Sequence, residues 1–216
     1  MDYHVNRIID TIAAFMNYAR MPKPSWDDYF MQHAYLAARR ASCDRKHVGA
    51  VIVTPDHRVA ATGYNGSPAG MDDCDEVGHE ISANHCIRTL HAESNAIDYA
   101  GRTAMGCTLY VTVIPCYDCA KRIVNAGVHR VVYDEFYASR YGKSDQVVQF
   151  FTEAGIECIQ LDTPGLTLFK QKLAEVEKIE SEVLSTILVE FACGCSVKAS
   201  DAGKLCLTHD APRAHE

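Results

Sequence analysis

The tripeptide His91-Ala92-Glu93 and, 22 residues after its glutamate, the run Pro115-Cys116-Tyr117-Asp118-Cys119 offer one imidazole, two thiols and one carboxylate to a single site. One neutral imidazole and two thiolates give zinc three protein ligands and leave a fourth position for water, the open arrangement of a catalytic site. Zinc held in this way lowers the pKa of its water from about 15.7 to about 7, so hydrolysis becomes accessible at neutral pH. Glu93 is then free to carry protons, since it is not needed as a ligand. The plainer alternative is a pair of buried helical cysteines beside a surface H-x-E. C-x-x-C alone would not separate the two readings, whereas the complete set favours the metal.

The elements around these residues explain how they could converge. Tyr117 to Ala126 (YDCAKRIVNA) reads as a helix with Pro115 at its start, which puts Cys116 and Cys119 on one face of the first turn. That end of a helix carries positive partial charge and favours thiolate over thiol. His91 opens a second helical run, HAESNAIDYA, whose Ala92, Ala96, Ile97 and Ala100 recur at helical spacing before Gly101 stops it. Residues two apart on a regular helix do not face each other. His91 and Glu93 can therefore serve one site only if the metal lies over the end of the helix.

Stepping outward along the chain, Val5 to Ala19 carries Ile8, Ile12, Phe15 and Met16 on one face and is expected to be a helix, ended by Met-Pro-Lys-Pro. Asp27 to Ala41 reads as a helix, and Val48 to Thr54 and Val59 to Tyr64 as strands paired across a turn at Pro55-Asp56. The His91 helix, a strand at Cys107 to Val113, the Cys116 helix, a strand at Val128 to Tyr133, a helix at Asp145 to Ala154 and a strand at Ile156 to Leu161 follow in alternation. Such a pattern argues for one sheet flanked by helices. The expected division is an N-terminal helical extension at 1–24, a zinc-dependent catalytic domain at 25–165, and a C-terminal helix with a Cys/His tail at 166–216.

Composition removes several classes of function. The chain has 216 residues, 48% of them hydrophobic and 23% charged, which suits a globular protein with a core of its own. No signal-peptide pattern or long apolar run is visible, so the ten cysteines point to metal in a reducing compartment, the cytoplasm, and no membrane association is expected. A formal charge of -7 is poorly suited to a nucleic-acid backbone, whose affinity comes largely from Lys and Arg. A single nucleotide is easier to accommodate.

Gly63 to Gly70 (GYNGSPAG), His85 to Glu93 (HCIRTLHAE) and P-C-Y-D-C together resemble the deoxycytidylate (dCMP) deaminase family of the cytidine deaminase superfamily, over roughly Ser25 to Leu161. H-x-E followed by P-C-x-x-C is the signature of zinc nucleobase deaminases. The resemblance implies a three-layer α/β/α sandwich around a five-stranded mixed sheet. It implies hydrolysis of dCMP to dUMP and ammonia, feeding thymidylate synthesis. It also implies a homo-oligomer, commonly a hexamer, activated by dCTP with Mg2+ and inhibited by dTTP. Asn65 is expected to hydrogen-bond the sugar, with Gly63 and Gly66 permitting close approach of backbone; read alone, Asn65-Gly66 is a common turn. Tyr137 matches a position where the family makes a sugar or phosphate contact, or else it is a packing tyrosine. Ser67, Arg45 and Lys46 are further candidates for a phosphate or effector, against a plain solvated surface.

Two more groups of ligand-type residues stand apart. Cys43, Cys74, His79, His85 and Cys86 are expected to supply four ligands of a closed, structural zinc, since adjacent His85 and Cys86 would strain to reach one ion. Buried thiols in the polar run DDCDEVGHEISANHC are the alternative. Phe169 to Phe191 carries Leu173, Val176, Ile179, Val183, Ile187 and Phe191 near helical spacing, an amphipathic helix that needs a surface to dock on. Beyond it, Cys193, Cys195, Cys206 and His209 bracket the turn-like Ser200 to Gly203 and could form a small zinc knuckle or remain loose cysteines.

Competing functions differ in what they require. A tRNA adenosine deaminase shares the metal motif but calls for a basic surface, and a free-cytidine deaminase usually has Cys where His91 stands. A dCTP or dual dCMP/dCTP deaminase is the nearest enzymatic rival. A non-catalytic zinc or nucleotide-binding module would have no use for Glu93.

Overall fold

The computed structural model describes residues 23–82, 85–136, 144–192, 196–199 and 205–208, with side chains up to Glu182. The expected helix at Val5 to Ala19 lies outside these residues, as do Tyr137, Cys193, Cys195 and His209. Helix α1 (Trp26–Ala38) starts where Ser25 Oγ accepts the Asp28 N–H at 3.0 Å, and it buries Phe30, Met31, Ala34 and Ala38. Strands β1 (Gly49–Val53) and β2 (Val59–Tyr64) follow as an antiparallel pair. Every residue of β1, GAVIV, is buried, because β1 lies between β2 and the strand β5 (Thr108–Val113) and is covered on both faces.

The remaining strands are β6 (Arg130–Glu135) and β7 (Glu157–Gln160), in the order β2-β1-β5-β6-β7. β1 runs antiparallel to β5, whereas β5, β6 and β7 are parallel, so the five-stranded mixed sheet expected from the resemblance is present. The parallel half is connected through helix α4 (Tyr117–Asn125) between β5 and β6 and helix α5 (Ser144–Glu153) between β6 and β7. Helix α3 (Ala92–Ala100) lies between β2 and β5 in the chain and packs on β2 and β1.

Two glycines mark the layers. A Cβ on Gly49 would lie 1.9 Å from the carbonyl oxygen of Ala34 in α1, and a Cβ on Gly63 would lie 2.2 Å from that of Ala92 in α3. The helices thus approach the sheet so closely that no side chain fits between. β5 divides its side chains in the same way: Leu109 and Val111 join the core with Ala96, Ala120 and Ile123 of α3 and α4, while the Tyr110 ring lies 5.4 Å from Phe30 of α1.

Differences from the sequence reading are local. Pro115 precedes the cap of α4 and is not its first residue, because Cys116 itself has the extended cap conformation. The polar run before His91 is built rather than irregular: α2 (Cys74–Val77) is closed by a reciprocal Asp73/Glu76 capping box, and β3 (Ile81–Ser82) pairs with β4 (His85–Cys86). Asn65-Gly66 does not turn a hairpin, for the chain continues and Gly66 bridges to Leu90. The C-terminal helix α6 (Pro164–Ala192) starts five residues before Phe169, where Thr163 Oγ1 accepts the Leu166 N–H at 3.1 Å.

The chain divides into two compact units, one ending at Leu166 and the other running from Thr167. Within the second, α6 continues to Ala192, and β8 (Ser196–Ala199) and β9 (Leu205–Thr208) form an antiparallel pair in which Lys198 stands opposite Cys206.

Candidate active site and metal centres

His91 is the N-cap of α3 and Cys116 the N-cap of α4, so two helix starts meet at the carboxyl end of β5. Ligands commonly gather at that end of parallel strands, where connections diverge. His91 Nδ1 lies 3.5 Å from Cys116 Sγ and 3.4 Å from Cys119 Sγ. Tetrahedral zinc with Zn–N of about 2.05 Å and Zn–S of about 2.3 Å would separate nitrogen from sulfur by about 3.6 Å. The trio therefore fits the ion without rearrangement. His91 and Cys116 reach it from outside their helices and Cys119 from the first turn, which is how H-x-E and C-x-x-C serve one centre despite their spacing.

Electrostatics favour the ligand form at Cys116, which draws the protons of the trio onto His91 and Cys119. A hydrogen bond with Cys119, helped by His91, draws the Cys116 thiol down to about 4 against the effect of burial. Its hydrogen bond to Cys116 lifts His91 to about 9, and the same thiolate, with burial, pushes Cys119 upward. The Cys119 N–H also points to Cys116 Sγ at 3.5 Å, a helix-terminus donor to a thiolate. Glu93, one residue inside α3, is only 4% exposed. Burial raises its carboxyl above the usual range, with positive charge at His91 opposing. A carboxyl raised in this way holds its proton more readily than an exposed one, which suits a group that takes up and passes on protons.

The adjoining cavity is lined by His91, Glu93 and Cys116, by the basic Arg45 and Lys46, and by the apolar Val48, Val113 and Ile114. Asn65 lines it and is 8% exposed. Its side chain also shapes the approach to β1: Oδ1 accepts the Val48 N–H at 2.7 Å and Nδ2 donates to the Lys46 carbonyl at 2.9 Å. Gly63 permits close approach of the α3 backbone to the sheet and does not line the cavity. Gly66 allows contact with Ser42, whose Oγ would lie 2.9 Å from an added Cβ. Ser67 does not line the cavity, and its buried Oγ has no hydrogen-bond partner among the described residues.

A second cluster gathers Cys43, Cys74, His79 and Cys86, with all four ligand atoms within 4.8 Å of one another. Cys74 and Cys86 sulfurs are 3.5 Å apart and Cys43 Sγ lies 3.7 Å from His79 Nδ1, separations that suit a closed tetrahedral ion. His79 Nε2 is 2.7 Å from Asp44 Oδ1, which fixes the ring with Nδ1 towards the sulfurs. His85 is not part of the cluster. His85 and Cys86 both line the cavity, but only Cys86 brings its ligand atom within reach of the other three. Of the tail group, only the backbone of Cys206 falls within the described residues.

Sequence reading missed the groups that close the site from afar. Glu135 at the end of β6 lies 2.6 Å from Lys46 Nζ, and Tyr35 of α1 donates to Asp134 beside it. Ile114 lines the cavity with no motif to mark it, and Thr89 lines it from within the HCIRTLHAE run, where its type alone suggests no role.

Comparison with known proteins agrees with this geometry. Residues 24–135 match the family described as the cytidine and deoxycytidylate deaminase zinc-binding region. ComE operon protein 2 of Bacillus subtilis is 34% identical over 186 residues, covering 85% of this chain and 89% of that protein. The deoxycytidylate deaminase of Mycobacterium phage D29 is 44% identical over 126 residues, 52% of this chain and 97% of that protein. Among solved structures, the dCMP deaminase of cyanophage S-TIM5, in complex with dCMP and dUMP, aligns over 65% of this chain and all of its own, with a TM-score of 0.54 and 29% identity.

Proposed function

The chain belongs to the cytidine and deoxycytidylate deaminase family, and we propose that within it the chain hydrolyses dCMP to dUMP and ammonia, supplying dUMP for thymidylate synthesis. The observation that carries this reading is the convergence of His91, Cys116 and Cys119 at 3.4–3.5 Å beside a buried Glu93. Zinc, when held by those three residues, supplies Lewis-acid activation of a water molecule. Glu93 accepts a proton from the attacking water and delivers it to N3 as the C4–O bond forms. It then passes the second water proton to the amino group as the C4–N bond breaks, so water is consumed and ammonia released. Asn65 and Tyr137 are the proposed sugar-side contacts, with Gly63 and Gly66 setting the backbone around Asn65.

Cys43, Cys74, His79 and Cys86 are proposed to hold a structural zinc. By joining the segment before β1 to α2 and β4, it would fix the wall that carries Arg45, Lys46 and His85. Two thiol-rich centres need a reducing compartment, which supports a cytoplasmic location. The family resemblance further supports a hexamer whose activity rises with dCTP and Mg2+ and falls with dTTP.

A steady-state comparison of dCMP, dCTP, cytidine and adenosine-containing RNA tests the substrate. The expected result is a catalytic efficiency for dCMP far above that for cytidine, because binding energy from the remote phosphate positions the ring. Equal efficiencies, or preference for RNA, would overturn the assignment.

A further inference from the structure

His91 and Cys116 line two hollows, and consecutive residues of α3 divide between them: Glu93 lines the cavity shared with Asn65, and Ser94 lines the other, with Cys119, Asp118 and Arg122. Ser94 is 6% exposed, and its Oγ lies 3.7 Å from Cys119 Sγ. A cysteine that holds zinc is a thiolate without a proton, so with metal bound the hydroxyl is the donor of this pair. Cys116 Sγ has the Cys119 N–H at 3.5 Å. Each sulfur of the trio then has a donor of its own. One turn further along, α3 and α4 are joined again by Asp98 and Arg122, four residues after Ser94 and three after Cys119. Ser94 with Cys119 and Asp98 with Arg122 are thus successive rungs between the two helices, and the first of them ends on a metal ligand.

We propose that Ser94 is a positioning residue of the zinc centre, whose hydroxyl donates to Cys119 Sγ, holds that sulfur in its ligating rotamer and draws negative charge from it. This rests on the zinc deaminase reading and adds to it a residue outside the H-x-E and C-x-x-C positions. A thiolate that accepts a hydrogen bond gives less charge to the ion, which leaves more Lewis acidity for activating water. A sulfur already oriented by a buried partner also needs no rearrangement when zinc binds, which favours affinity. Ser94 does not line the cavity that holds Glu93 and Asn65. Its loss should therefore be read in metal affinity and kcat, with KM little changed.

The test compares wild type with Ser94→Ala, Ser94→Val and Ser94→Thr, the melting temperature being checked for each. Thr keeps the hydroxyl and Val matches its shape without it, so these two separate the hydrogen bond from packing. Zinc affinity, read by competition with a chromophoric chelator, should fall about ten- to a hundredfold in Ser94→Ala and Ser94→Val and stay within about threefold of wild type in Ser94→Thr. In the zinc-loaded proteins, kcat for dCMP should fall about tenfold in the Ala and Val variants, with KM changed less than about threefold. With Co2+ in place of zinc, the sulfur-to-metal charge-transfer band should move to lower energy in Ser94→Ala, because the sulfur has lost its donor. That band decides alone should either branched side chain prevent folding. Equal affinities in Ser94→Val and Ser94→Thr, an effect confined to KM, or an unmoved band in Ser94→Ala would overturn the proposal. Zinc-loaded wild type that deaminates neither dCMP nor cytidine would instead remove the deaminase reading, and the affinities and the band would still decide the role of Ser94.

Discussion

Glu93 combines two properties that rarely coincide: it is almost fully buried, and it has no part in holding the proposed zinc. Glu93→Gln keeps the volume and removes only the titratable group, so the variant should fold and retain zinc while kcat falls about 10²- to 10⁴-fold. Metal analysis alongside kcat checks this; a variant with most of its turnover intact would take the proton-carrying role away from Glu93. Asp27 is a carboxylate of a different kind. It receives a bidentate pair from Arg130 at 2.7 and 2.8 Å and a hydrogen bond from Tyr110, and the Arg130 hydrogen bonds hold its pKa below the usual range. A folded-state pKa below the unfolded value means that the stabilisation is complete above about pH 4 and is lost as pH falls further through the folded value. The melting temperature of wild type should therefore drop more steeply than that of Asp27→Asn below about pH 4. Parallel acid limbs would show that the pair contributes nothing to the acid response.

At the scale of elements, the glycines of β1 and β2 admit helices from opposite faces, and only one of those helices carries the site. Gly63→Ala would drive a methyl into the Ala92 backbone between His91 and Glu93, whereas Gly49→Ala would meet Ala34 in α1. Both should destabilise by about 1–3 kcal/mol or more, since backbone cannot move aside as a side-chain tip can. The two should part in function: Gly63→Ala should lose zinc and turnover, and Gly49→Ala should lose stability with kcat per folded molecule nearly intact. Equal effects on kcat would mean that α3 is not positioned by this contact. The metal motif was legible because its parts are local: each ligand sits at or next to a helix start that Pro115 and the apolar spacing announce. The choice of four ligands from five was not. It depends on β4 bringing Cys86 to within 3.5 Å of Cys74, and two-residue strands leave no periodic trace. Lys46 with Glu135 and Asp27 with Arg130 were equally hidden, because they are 89 and 103 residues apart and nothing in either segment names its partner.

For the whole molecule, the family resemblance supports an assembly with effector control. The chain carries a net charge of -7, and among the described residues no helix is long and apolar enough to cross a membrane. On α6, Val176 and Ile179 are 45% and 38% exposed, an apolar face that a single copy leaves open to water. If the assembly exchanges two states and dCTP binds the competent one more tightly, dCMP saturation should be sigmoidal alone, hyperbolic with dCTP and Mg2+, and displaced the other way by dTTP. Superimposable hyperbolas on a confirmed oligomer would remove the regulation and leave the chemistry in place. The chemistry itself is tested most directly by incubating zinc-replete protein with dCMP and following dUMP and ammonia together. Equimolar appearance of the two, abolished in Glu93→Gln at unchanged zinc content, is the expected result; zinc-replete protein that releases neither would contradict it.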